Sequence, residues 1–280
     1  MPDIEDKSAF LPFSQNWENA PRVEGENRPV PQSPPSHGGA RPPIRGIIFD
    51  FDGLILDTEE PEYRAWATIY EEYGCELPLD RWTAAIGTTS GAFDPCSHLE
   101  WALGGSLSEP ARSPAANMPP KLDSAAIRTK SQLIFRSLLA AKSPLPGVRT
   151  YLQDAERLGL KMAVASSSPG HWIEGHLKRL ELRRYFSCIR CADHVRAVKP
   201  DPALYLLALE ALELSANEAV ALEDSPNGVR AAKAAGLFCA AVPNAMTRGL
   251  DFRDADVILA SLEETPLDAL LKIQAESLQH

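Results

Sequence analysis

From Gly147 onward the chain alternates short apolar runs with segments of helical length, a rhythm that few folds accept. The pattern predicts a helix over 147–158, a strand over 161–165, a helix over 171–180 and a short strand over 185–190. It continues with a helix over 201–212, a strand over 219–222, a helix over 225–235 and a strand over 237–242. A last strand over 256–259 and a helix after Pro266 complete it. Strands separated by helices of about 10–15 residues imply βαβ units and a parallel sheet covered on both faces. Upstream, Gly46-Ile47-Ile48-Phe49 reads as one more buried strand, ending at Asp50.

Between that strand and the rest, no strand is legible. Tyr63, Trp66, Ile69, Tyr70 and Tyr73 fall at helical spacings within 61–73, a stripe that reads as helix core, and 79–86, 94–103 and 124–142 read as further helices. The expected architecture is therefore α/β, a doubly wound parallel sheet with a Rossmann-like core over 45–60 and 143–280. An all-helical cap over 61–142 is inserted after its first strand.

Composition narrows the function. Nine of the 24 prolines fall in the first 45 residues, so residues 1–44 read as a disordered leader, with Phe10, Leu11, Phe13 and Trp17 as its apolar exception. With 28 basic and 38 acidic side chains the formal net charge is −10, which argues against nucleic acid or an anionic membrane as partner. No apolar run approaches the roughly 20 residues needed to span a bilayer. Met1 to Ser8 lack the basic and apolar regions of a secretory signal, so a soluble cytoplasmic protein is expected, and nothing demands more than a monomer. Cys188 and Cys191 form a C-x-x-C without a second pair at metal-ligand spacing, and read as ordinary thiols.

In an open parallel sheet, ligands bind outside the carboxyl ends of the strands. The first strand ends in Asp50-Phe51-Asp52-Gly53 and the second in Ser166-Ser167-Ser168. Lys199-Pro200 follows the third, and the fourth ends in Glu223-Asp224-Ser225-Pro226-Asn227-Gly228. Taken singly, each has an ordinary reading as a solvated turn or a helix start. Together they bring carboxylates, hydroxyls and a lysine to one edge of one sheet. Clustered carboxylates repel unless a hard cation sits among them, and oxygen ligands suit Mg²⁺. Hydroxyls, backbone N–H groups and a lysine suit a phosphoryl group. One aspartate can attack phosphorus, and a second can move the proton. Ser225 followed by Pro226 is a plausible helix N-cap and first position.

These residues resemble the motifs of the haloacid dehalogenase-like hydrolase superfamily. Asp50-Phe51-Asp52-Gly53-Leu54-Ile55-Leu56-Asp57-Thr58-Glu59 is similar to its first motif and Val164-Ala165-Ser166-Ser167-Ser168 to its second. Lys199-Pro200 is similar to its third, and Leu222-Glu223-Asp224-Ser225-Pro226-Asn227-Gly228 to its fourth. The resemblance runs from about Arg45 to the C-terminus and is strongest to the branch that holds β-phosphoglucomutase and small-metabolite phosphatases. It implies Asp50 as nucleophile, Asp52 as general acid and base, and Ser166, Ser167 and Lys199 as phosphate-binding groups. It implies Mg²⁺ held by Asp50, the Asp52 backbone carbonyl and Asp224, with Glu223 beside or among them. It also implies a specificity loop at Gly87, Thr88 and Thr89. Asp52 argues against a dehalogenase, which lacks that second aspartate.

Three functions fit. The first is a Mg²⁺-dependent phosphatase acting on a small phosphate ester such as a sugar phosphate. The second is a sugar-phosphate mutase of the β-phosphoglucomutase type. That enzyme carries a histidine twelve residues after the nucleophile, where this chain has Glu62, and a cap-loop arginine where this chain has Gly87-Thr88-Thr89-Ser90; both differences favour hydrolysis. The third is a non-catalytic module that binds a phosphorylated ligand. His171, His176 and His194 complete no Ser–His–Asp set.

Overall fold

The computed structural model describes residues 43–86, 93–103 and 122–277; Gly87, Thr88 and Thr89, the proline-rich stretch after Leu103 and the leader lie outside the described residues. In chain order the elements are β1 (Gly46–Phe49), α1 (Glu59–Glu72), α2 (Leu79–Ala85), α3 (Pro95–Leu103), α4 (Ser124–Ala140) and α5 (Val148–Arg157). They continue with β2 (Lys161–Ala165), α6 (Gly170–Arg179), β3 (Cys188–Arg190), α7 (Ala203–Leu212) and β4 (Ala219–Glu223). The last are α8 (Pro226–Ala234), β5 (Phe238–Ala241), β6 (Val257–Ile258) and α9 (Leu267–Ser277).

All neighbouring strands are parallel, in the order β3-β2-β1-β4-β5-β6. The chain winds outward from β1 to β3, then crosses back to β4 and winds the other way. β1 therefore lies at the switch point, and the carboxyl ends of β1, β2 and β4 open on the crevice where such sheets bind ligands. Phe49 is level with Val164 on one side and Leu222 on the other, so Asp50, Ala165 and Glu223 come to the same edge.

The central strands β1, β2 and β4 bury both faces, which is why each reads as a largely apolar run. Ile47, Phe49, Val164 and Leu222 pack with Tyr151 and Leu152 of α5, Ile173 and Leu177 of α6, and Leu270 of α9. Ile48, Ala163, Ala165 and Ala221 pack on the other face with Leu204, Tyr205 and Ala208 of α7 and Val229 of α8. Helices α1 to α4, inserted between β1 and α5, bury a third cluster of their own, including Trp66, Ile69, Tyr70, Trp82, Leu99 and Ile127. The far end of α4 departs from it, since Phe135 and Leu139 join the sheet's first cluster.

Two passages depart from the sequence expectation. The strand expected over 185–190 begins as a 3-10 turn, Arg183–Tyr185, and only Cys188–Arg190 pairs with β2. Tyr185 and Phe186 are apolar because they are buried in the core, not because they join the ladder. Helix α1 starts at Glu59, ahead of the expected Pro61. Proline is tolerated in a first turn, where its missing N–H has no partner to lose, and Glu59, Glu60 and Glu62 there complement the helix dipole.

The two chain crossings between sheet and inserted helices run side by side. Leu56 faces Pro144 across an antiparallel bridge, and the Leu145 N–H donates to the Ile55 carbonyl at 2.9 Å. Lys142 Nζ joins Asp57 at 2.7 Å and Glu60 at 2.5 Å across the same junction.

Candidate active site

Asp50 is the first residue beyond β1, and its N–H extends the ladder by donating to the Leu222 carbonyl at 3.0 Å. Phe51 turns fully into the core, which sends Asp50 and Asp52 to the crevice on either side of it. Gly53 then takes a left-handed φ of 83°, and a Cβ there would lie 2.1 Å from Asp224 Oδ2. Glycine, with no Cβ, is the residue type that accepts both that backbone and that approach.

Around Asp50 the groups are charged. Lys199 Nζ is paired with Asp50 Oδ1 and sits 2.7 Å from Glu223 Oε1. Tyr205 of α7 donates its hydroxyl to the same Glu223 oxygen at 2.5 Å. Asp50, Glu223 and Asp224 each offer a carboxylate oxygen, all within 4.8 Å of one another and all buried. Ser225 caps α8 as expected, its Oγ accepting from the Gly228 N–H at 3.1 Å with Pro226 at the first position.

Three buried carboxylates thus share one ammonium. Burial pushes the Asp50 carboxyl up to about 8, against the pull of Lys199 and with Glu223 and Asp52 adding to the rise. Asp224 is raised well above the carboxylate range by burial, then by Glu59 and Asp50. Burial raises Glu59 to about 8 despite a hydrogen bond from Asn244. Burial alone would lower the Lys199 ammonium's pKa; Asp50 and Glu223 outweigh it and hold it above the lysine range. An all-oxygen donor set this short of positive charge fits a hard divalent cation.

Around Asp52 the groups are neutral. Ser168 Oγ donates to Asp52 Oδ2 at 2.5 Å, Ser166 Oγ to the same oxygen at 3.3 Å, and the Trp172 indole N–H to Oδ1 at 2.9 Å. Thr58 adds a further hydrogen bond; burial raises the Asp52 pKa and these donors hold it back. Ser166 Oγ also accepts from the Ser168 N–H at 3.0 Å, which fixes the strand-end loop. Trp172 stacks on Phe135 of α4, with ring centroids 6.0 Å apart.

The structure therefore gathers Asp50, Asp52, Ser166, Lys199, Glu223 and Asp224 at one edge, with Ser167 partly exposed on the same strand-end loop. The Asp52 carboxylate does not belong to the three-carboxylate group. Glu62 is half-buried, and burial with the Asp52 charge raises it to about 7. His176 is buried and meets the Trp172 ring edge to face at 4.3 Å. Cys191 is buried with Sγ 3.0 Å from His194 Nδ1, and burial pushes its thiol up to about 11.

Sequence reading missed Trp172, Tyr205 and Asn244 as site neighbours. Asn244 carried a usable signal, as a polar residue just past the carboxyl end of β5, the strand beside β4. Trp172 and Tyr205 carried none, because their helical positions are equally those of core residues.

The haloacid dehalogenase-like hydrolase family matches residues 47–242. YhcW of Bacillus subtilis is 43% identical over 81% of this chain and 96% of its own length. A phosphorylated carbohydrates phosphatase of Thermotoga maritima is 31% identical over 69% of this chain and 82% of its own. The crystal structure of CbbY from Rhodobacter sphaeroides in complex with phosphate has a TM-score of 0.59 and 31% identity, covering 81% of this chain and 99% of that one. A substituted form of CbbY has been solved with xylulose 1,5-bisphosphate.

Proposed function

Because the chain belongs to the haloacid dehalogenase-like hydrolase family, we propose that it is a Mg²⁺-dependent phosphatase acting on a small phosphorylated metabolite, a sugar phosphate or similar, through an aspartyl-phosphate on Asp50. The observation that carries this reading is the division of the edge into a charged half at Asp50 and a neutral-donor half at Asp52. The named activity of the Thermotoga maritima relative and the sugar bisphosphate bound to CbbY support the substrate class.

Asp50, Asp224 and Glu223, with the Asp52 backbone carbonyl, would hold the cation, which when bound supplies charge neutralisation for the phosphoryl oxygens. Lys199 keeps Asp50 oriented and, with Ser166 and Ser167, binds the transferring group. A carboxylate oxygen of Asp50 attacks phosphorus, the ester P–O bond breaks, and the Asp52 proton passes to the departing alcohol oxygen. Water then attacks the phosphoryl group and gives its proton to Asp52. The bond from phosphorus to Asp50 breaks, inorganic phosphate leaves and Asp50 is restored. Residues 61–142 act as a cap over this edge, and Gly87, Thr88 and Thr89 contribute to substrate choice. Glu62 in the position of the mutase histidine favours release of phosphate over its return to sugar.

The test is phosphate release from sugar phosphates, nucleotides and small phosphorylated acids with and without Mg²⁺, with Asp50→Asn in parallel. Metal-dependent release should fall at least about 10³-fold in the variant while its circular dichroism is unchanged. Release that persists in folded Asp50→Asn, or isomerisation of a hexose 1-phosphate without release, would overturn the reading.

A further inference from the structure

The loop after β5 reaches the charged half of the site through Asn244. Its Nδ2 donates to Asp224 Oδ2 at 2.8 Å and to the Gly53 carbonyl at 3.0 Å, and lies 3.4 Å from Glu59 Oε2. The other end of the amide is fixed as well, because Oδ1 accepts from the Met246 N–H at 2.8 Å and the Thr247 N–H at 3.1 Å. Two backbone donors on Oδ1 leave the NH₂ no choice but to face the oxygens of the site, so the orientation of the amide follows from its partners. The Asn244 N–H in turn donates to Oγ1 of the fully buried Thr247 at 3.0 Å, and Met246 packs against the cluster of the inserted helices. The loop is thereby anchored on both sides of the residue it presents.

What this amide holds is specific. Asp224 is a carboxylate of the three-oxygen group, and Gly53 is the turn that carries Asp52 away from β1. A lysine at this place would supply the positive charge that the carboxylates reserve for a cation, and an aspartate would add another negative one. A neutral donor fixes both partners and changes neither charge.

We propose that Asn244 is a positioning residue for the metal site: it sets the Asp224 carboxylate and the Gly53 turn in one arrangement before the cation arrives. The inference rests on the Mg²⁺ reading given above. Hydrogen-bond partners of metal ligands are typically worth about 10–100-fold in metal affinity, and Asn244 is such a partner for Asp224 and for the Asp52–Gly53 turn together.

The experiment is calorimetric titration of Mg²⁺ into the full-length protein without substrate, for the wild type, Asn244→Ala and Asn244→Ser, with melting temperatures beside it. Serine can still accept from the Met246 and Thr247 N–H groups, so the turn is kept, but it is too short to reach Asp224. The serine variant therefore carries the test even if the alanine variant melts early. The Mg²⁺ Kd should rise about 10–100-fold in the serine variant, and kcat at saturating Mg²⁺ should stay within about threefold of the wild type, a metal-binding loss and not a chemical one. A folded Asn244→Ser protein that binds Mg²⁺ within twofold of the wild type overturns the proposal, as does a loss confined to kcat. Absence of Mg²⁺ binding in the wild type itself would overturn the metal reading, a distinguishable outcome.

Discussion

Asp50 and Asp52 leave the same strand two residues apart, and the chain surrounds them with opposite chemistry. At Asp50 a lysine, two further carboxylates and a tyrosine hydroxyl are locked together out of water. At Asp52 two serines and an indole supply hydrogen bonds but no charge. The difference follows from the topology: Asp50 lies beside β4, whose end is acidic, and Asp52 reaches toward the end of β2, whose end is three hydroxyls. A carboxylate held by fixed charges keeps one orientation, as a nucleophile requires. A carboxyl held by neutral donors can gain or lose a proton without breaking an ion pair, as an acid and base requires.

Removing the charge that organises the first half should have the largest effect. Lys199→Met leaves Asp50 and Glu223 buried without their ammonium, and breaking a buried pair in this way costs about 3–5 kcal/mol. The loss should depend on pH in a defined direction. The Asp50 pKa in the folded protein lies above its ordinary value of 3.8, near 8, so the native state binds the extra proton and stability is lost as pH rises between those values. Without Lys199 that slope should steepen, so urea denaturation of the metal-free variant should show a larger deficit at pH 8 than at pH 5, with Mg²⁺ recovering part of it. An equal deficit at both values would mean that Lys199 matters for packing and not for charge.

The neutral half should respond more mildly. Trp172→Phe keeps the stack on Phe135 but removes one donor from Asp52, a loss of about 1–1.5 kcal/mol that lowers kcat about tenfold with little change in KM. Because Ser166, Ser168 and Thr58 still hold the carboxyl, a loss as large as that of Asp52→Asn would show that the indole does more than orient it.

Much of this arrangement was legible in the sequence. β1, β2 and β4 are buried on both faces, so Ile47, Ile48 and Val164 announced themselves, and the motif residues could be placed at strand ends before any contact was known. Element edges were less legible. Tyr185 and Phe186 look like strand residues, yet their burial comes from docking against the core, and period alone does not separate the two. Within the site, Ser168 was visible beside Ser166, but nothing in the local sequence says that its hydroxyl, and not that of Ser167, turns to Asp52. Trp172 reaches the site from 120 residues away from its partner Asp52, through helix packing that no local pattern encodes, whereas Asn244, 20 residues from Asp224, was marked only by its place just past the end of β5.

The division of labour between the two aspartates can be tested by trapping. Asp52→Asn should still transfer a phosphoryl group from p-nitrophenyl phosphate, whose phenolate needs little protonation to leave, but should hydrolyse the resulting acyl phosphate slowly. Acid-quenched protein, analysed by intact mass and peptide mapping in the presence of Mg²⁺, should then carry one phosphoryl group on Asp50. A burst of p-nitrophenol with no phosphoryl group on the protein, or with the group on Ser166, would contradict the account.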